Sequence, residues 1–201
     1  MDLASRWRGA WQALGAQPDT LLLEALVAAY REPHHHYHTL QHLEECFEHF
    51  DLIRAGADEP AEIELALWFH DAIYDTRRHD NEERSARWAR ESILPVSREA
   101  AERVHVLVMA TKHSAVPESI DAQILVDVDL CILGAAPQRF DEYEEQVRAE
   151  YSWVPYALYR RERRRMLSGF AARPTLFSTP VFAERFEGQA RKNLERALAR
   201  L

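Results

Sequence analysis

Five of the ten histidines fall within nine residues, at positions 34, 35, 36, 38 and 42 of the segment PHHHYHTLQHLEECF. Imidazole both ligates metals and exchanges protons near neutral pH, so such a cluster points to metal binding, acid–base work, or both. His38 and His42 are four apart. On a helix beginning near Tyr37 they share one face about 6 Å apart, close enough for two roles at one site. His34, His35 and His36 precede that helix and read either as a polar loop or as pocket-lining groups. The HxxxH spacing lacks the glutamate of HExxH, which excludes a zincin-type metalloprotease.

A second constellation lies in LALWFHDAIYD, where His70 and Asp71 stand side by side at the end of an apolar helix. A carboxylate buried there without a partner is costly, and metal coordination would supply one. A helix dipole favours a cationic histidine at that end but leaves the aspartate unexplained. Asp127 and Asp129, inside the apolar segment AQILVDVDLCILG, need the same kind of compensation.

The elements that must hold these residues read as helices nearly throughout. DTLLLEALVAAYREP opens on a capping Asp19 or Thr20 and stops before Pro33. EPAEIELALWFHDAIY starts at Pro60 and continues as an almost unbroken apolar run, so that helix should be buried on most sides. HDNEERSARWARESIL and SREAAERVHVLVMATKH carry apolar residues at three and four spacing. Two further helices break near Pro155, and ARPTLFSTP links them to a terminal helix from about Val181. AQILVDVDLCILG fits a buried strand or a buried helix. As a strand its DxD resembles the nucleophile motif of haloacid-dehalogenase-like phosphatases, but Cys131 stands where that family has Thr or Val and no βα repeat surrounds it, so the segment is read as a helix.

Thirty-three acidic against 25 basic residues give a formal charge of -8, which argues against a general nucleic-acid binder. The run YRRERRRM is read as a solvated helix face with Glu162 and Glu150 as partners. No apolar signal core opens the chain and no apolar run approaches the roughly 20 residues of a membrane helix, so the expectation is a cytoplasmic protein without a membrane partner. Cys46 and Cys131 have no CxxC spacing and read as buried small hydrophobes.

Taken in order, His42, then His70 and Asp71, then Asp129 or Asp127, the chain resembles the H…HD…D pattern of the HD-domain metal-dependent phosphohydrolases. YHTLQHL looks like the YHNxxHA signature of the related cyclic-nucleotide phosphodiesterases. YHTLQHL, FHDAIYD, DNEERSA, ATKH, DVDLCILG and ARPTLFSTPVF with a later ARKNL recur in this order in a family of small bacterial proteins predicted to be HD-superfamily hydrolases; the resemblance covers about residues 30–194. It implies a compact all-α HD-domain helical bundle. The whole chain, 1–201, then reads as a single domain, with a metal-binding core at about 30–135 and C-terminal helices 137–201 completing it.

The resemblance implies that His42, His70, Asp71 and Asp129, with Asp127 as the alternative, hold a divalent ion, and that Asp71 and His38 are catalytic. Two imidazoles and two carboxylates suit Mn, Fe, Co, Ni, Zn or Mg. Such an ion lowers the pKa of water and polarises a phosphoryl oxygen, and protonated His38 delivers a proton to the departing oxygen. The implied substrate is a phosphate mono- or diester, a nucleotide or nucleotide-like small molecule. Two other readings belong to other classes: a di-iron oxygenase of the same superfamily, drawing on His113, His79 or His34 to His36 for further ligands, and a catalytically silent nucleotide or metal sensor. Asp127 and Asp129 are two apart on a helix and point about 200° from one another, so only one faces a given ion.

Lys112 and His113 end a helix, where they either reach a substrate phosphate or a second metal, or complement the helix terminus. Arg77, with Arg78 and Arg173, is a further phosphate-binding candidate. Glu82 and Glu83 either orient ligands or form an acidic first turn. Trp153 and Tyr156 serve a homodimer contact or the core.

Overall fold

The computed structural model describes residues 2–201. Among the described residues there are ten α-helices and no strand, so the chain is all-α as expected. The helices are α1 (Leu3–Ala13), α2 (Thr20–Ala29), α3 (Leu40–Asp51), α4 (Pro60–Phe69), α5 (Asn81–Ile93), α6 (Arg98–Ala110), α7 (Ile120–Asp129), α8 (Pro137–Glu150), α9 (Tyr156–Ala171) and α10 (Pro180–Arg200). Their starts follow local chemistry. Asp2, Asp19 and Ser97 accept hydrogen bonds from the first-turn amides of α1, α2 and α6, and prolines open α4, α8 and α10. AQILVDVDLCILG is helical, continuing past α7 as a 3-10 turn over Leu130–Gly134.

The chain falls into two compact units, one reaching Val126 and one starting at Asp127. In the first, α4 is the central helix: every residue after Pro60 is buried, and α1, α3, α5 and α6 all pack on it. A helix buried on all sides must satisfy its polar groups internally. Glu62 is clamped by Arg103 through two bonds of 2.7 and 2.6 Å, and Glu64 takes Arg6 at 2.9 Å together with Arg54. Trp7 and Phe47 pack their rings on Trp68 of α4, with centroids 5.4 and 5.2 Å away.

The second unit is built on α10, which packs against α9 and the 3-10 turn, with α8 on that same turn. Gly134 is where backbones meet: a Cβ there would lie 2.7 Å from Phe186 Cβ and 2.9 Å from its carbonyl oxygen. Asn193 donates to the carbonyls of Leu133 and Ala135 at 2.9 and 2.8 Å, and Arg191 to those of Ala171 and Arg173 at 2.8 and 2.7 Å. The segment ARKNL therefore ties α10 down. The arginine run departs from its expected solvated face at one position, because Arg163 is buried and pairs with Glu144 rather than with Glu150 or Glu162. Arg161 and Arg165 are exposed beside Glu162. Trp153 and Tyr156 are exposed. No helix among the described residues is long and apolar enough to cross a membrane.

Candidate metal centre

Two helices of the first unit meet at their ends to bring three of the expected ligands together. His42 sits in the first turn of α3, whose start is set by Thr39 accepting from the Gln41 amide. His70 is the C-cap of α4, and Asp71 follows it as the chain turns away. The Nε2 atoms of His42 and His70 lie 3.2 Å apart, and Asp71 Oδ2 is 3.1 Å from His70 Nε2 and 3.4 Å from His42 Nε2. Donors about 2.1 Å from a common ion stand roughly 3.0 Å apart in cis-octahedral and about 3.4 Å apart in tetrahedral geometry, so this triad has the spacing of ligands.

The tautomer of His70 follows from its partner. Leu67 carbonyl oxygen is 2.7 Å from Nδ1 and can only accept, so Nδ1 carries the proton and Nε2 is turned toward Asp71 and His42. Both rings are buried. Burial alone would push the Asp71 carboxyl up, but His70, His38 and the hydrogen bonds from His42 and His70 hold it well below the usual carboxylate range. Burial likewise opposes charge on His70, and Asp71 with the Tyr30 hydroxyl overcomes it, raising that imidazole well above its ordinary value. The position that attracts a proton to Nε2 attracts a metal cation for the same electrostatic reason, and the two compete.

Cys46 is the residue that sequence reasoning missed. It is buried, as expected, but as one turn of α3 beyond His42 it lies against the histidines rather than in a purely apolar layer: its sulfur is 3.7 Å from both ring nitrogens of His42. The ligand-capable atoms of His42, Cys46 and His70 all lie within 4.8 Å of one another. Burial opposes the thiolate, yet His42 and His70 bring the thiol below its usual range. The i, i+4 spacing of His42 and Cys46 was the available signal.

His38 departs from its expected place. α3 begins at Leu40, so His38 belongs to the turn before the helix, and Thr39, which must be extended to cap, separates it from His42. Its Nε2 nevertheless reaches 4.0 Å from Asp71 Oδ2, and its ring stacks on Tyr74 with centroids 3.6 Å apart and planes at 23°. Tyr74 rides on the 71–80 loop, which Asn81 and Ser85 fasten to the start of α5: the Asp75 amide donates to Asn81 Oδ1 and the Ile73 amide to Ser85 Oγ, each at 3.1 Å. That is the structural use of DNEERSA.

The other candidates differ in their surroundings. Asp129 is half-buried at the end of α7. Asp127 is buried, and its carboxylate accepts from the Ser178 amide at 2.8 Å and from the Thr179 amide and hydroxyl at 2.7 Å each, so it caps the approach to α10. Burial pushes its carboxyl up, against these hydrogen bonds. Lys112 pairs with Glu83, His113 adopts a left-handed backbone with φ of 53°, and Arg77 is exposed on the 71–80 loop. His34 and His35 both meet the Tyr74 carbonyl, and His36 is exposed. The chain matches no family model, no curated protein and no solved structure.

Proposed function

We propose that the chain is a metal-dependent phosphohydrolase of the HD type, acting on a phosphate mono- or diester of a nucleotide or nucleotide-like molecule. One observation carries the reading: His42 Nε2, His70 Nε2 and Asp71 Oδ2 converge at 3.1 to 3.4 Å with a tautomer that aims His70 at the same point. The order of motifs in the sequence adds Asp129 as the fourth ligand. Mixed imidazole and carboxylate donors with a thiol alongside favour Zn, Fe, Co, Ni or Mn over Mg. When bound, such an ion lowers the pKa of water and polarises a phosphoryl oxygen.

The chain's own residues supply the rest. Asp71 Oδ2 lies 3.1 Å from His70 Nε2, 3.4 Å from His42 Nε2 and 4.0 Å from His38 Nε2, so one carboxylate faces all three imidazoles. Tyr74 holds the His38 imidazole by one face, leaving its Nε2 directed to the carboxylate side, where a leaving oxygen next to Asp71 would take the proton. His42 and His70 are fixed by burial, so they bind without large rearrangement.

The test is phosphate or nucleoside release from phosphomonoesters, cyclic nucleotides and nucleoside triphosphates, with each of Mn, Co, Ni, Zn and Mg, beside Asp71→Ala. Metal-dependent turnover lost in the variant supports the reading. Equal silence of wild type and variant on fully loaded protein defeats it, and oxygen-dependent turnover with iron would move the chain to the oxygenase class.

A further inference from the structure

The histidines that the first centre does not use are themselves organised. His34 Nε2 and His35 Nε2 point at one acceptor, the Tyr74 carbonyl oxygen, at 2.8 and 3.1 Å. Glu32 Oε2 lies 3.6 Å from His34 Nε2, and one donor atom each from Glu32, His34 and His35 fit within 4.8 Å of one another. The turn that gathers them is closed by the His35 amide donating to the Glu32 carbonyl at 3.0 Å, so the three side chains are presented by one short piece of backbone. His35 is buried and fixed, whereas the Glu32 and His34 side chains are 54 % and 48 % exposed and free to shorten the remaining gaps by rotation.

We propose that Glu32, His34, His35 and the Tyr74 carbonyl form a second metal site, outside the His42, His70 and Asp71 centre and sharing no residue with it, that takes a borderline divalent ion such as zinc. Two imidazole nitrogens and two oxygens are the donor chemistry of zinc, nickel or copper, while Mg and Ca prefer oxygen alone. Two N–H donors on one carbonyl account for the histidines as a simple loop clasp, but that clasp does not employ the Glu32 carboxylate 3.6 Å from His34 Nε2. A cation uses all four groups and is balanced by the carboxylate. The site also has a consequence. Tyr74 offers its carbonyl to this site and its ring to His38, so an ion bound here holds the residue against which His38 is stacked.

The experiment counts zinc. The full chain is stripped with a chelator, reloaded with Zn(II), and titrated against a chromogenic zinc chelator for wild type, His34→Ala, Glu32→Gln and His70→Ala, with circular dichroism confirming the helical content of each. The expected result is two equivalents per wild-type chain and one for His34→Ala. His70→Ala should keep the outer equivalent, and Glu32→Gln should weaken the outer site by about tenfold or more. In a proton–nitrogen correlation spectrum of the imidazoles, the His34 and His35 resonances should move with the outer equivalent in both wild type and His70→Ala. Wild type and His34→Ala matching in count and affinity would overturn the site, as would a single wild-type equivalent that His70→Ala removes. If His70→Ala binds as wild type does while His34→Ala loses one equivalent, the outer site stands and the inner centre is the reading that fails.

Discussion

Replacing Asp127 with alanine removes one acceptor from three donors at once: the Ser178 amide, the Thr179 amide and the Thr179 hydroxyl. The hydroxyl can turn elsewhere, but the two amides stand immediately before α10 with no intrahelical partner to take over. A buried donor left unsatisfied costs about 1 to 3 kcal/mol, and loss of a carboxylate near a helix N-terminus costs about 0.5 kcal/mol more. Asp127→Ala should therefore destabilise the protein by roughly 3 to 4 kcal/mol. Asp127→Asn keeps one oxygen, which can serve both Thr179 donors, and should lose roughly 1 to 2 kcal/mol because its amide then faces the Ser178 N–H.

The assay pairs urea unfolding with metal content of the folded protein, for both variants and for Asp129→Ala. The Asp127 variants should lose stability and keep their metal, whereas Asp129→Ala should lose metal. If Asp127→Ala cost less than about 0.5 kcal/mol, or emptied the site while Asp129→Ala stayed loaded, the capping role of Asp127 would be wrong and the two aspartates would exchange places.

Other perturbations follow from the same geometry. His38→Gln should lower kcat by roughly a hundredfold or more with metal content unchanged, since it removes a proton donor and no ligand; equal losses of metal and rate would place His38 among the ligands instead. Glu144→Ala strands the buried Arg163 guanidinium and should cost roughly 3 kcal/mol, while Arg163→Met, which removes the charge as well, should cost clearly less. Gly134→Ala drives a Cβ into the Phe186 backbone and should lower the unfolding midpoint by an amount worth about 2 kcal/mol or more; an unchanged midpoint would show that α10 shifts freely there.

Much of the fold was legible because helix signals are local. Asp19 and Pro60 mark helix starts by chemistry within one turn, and the apolar run after Pro60 announces a helix buried all round. The reading of AQILVDVDLCILG as helix rested on the absence of any βα context, and α7 bears it out. The adjacency of His70 and Asp71 at the end of a buried helix was likewise visible from burial cost alone.

What the sequence could not show is which groups meet across tens of residues. A period of 3.6 placed His38 on α3, but Thr39 is worth more as a cap than as a helical residue, so His38 reaches Asp71 from a turn. Cys46 looked like one more small hydrophobe until α3 and α4 brought its sulfur beside two imidazoles. The partner of Asp127 is 52 residues away, that of Glu62 is 41 and that of Arg163 is 19, and no local pattern ranks those pairings against their competitors. By itself the sequence determined which segments are helical, which helices are buried and which ionisable residues need a partner, because those properties depend on neighbours within a turn or two. Only the tertiary structure decided who the partners are, since buried charges and donors take whatever compensating group the packing brings within hydrogen-bond reach.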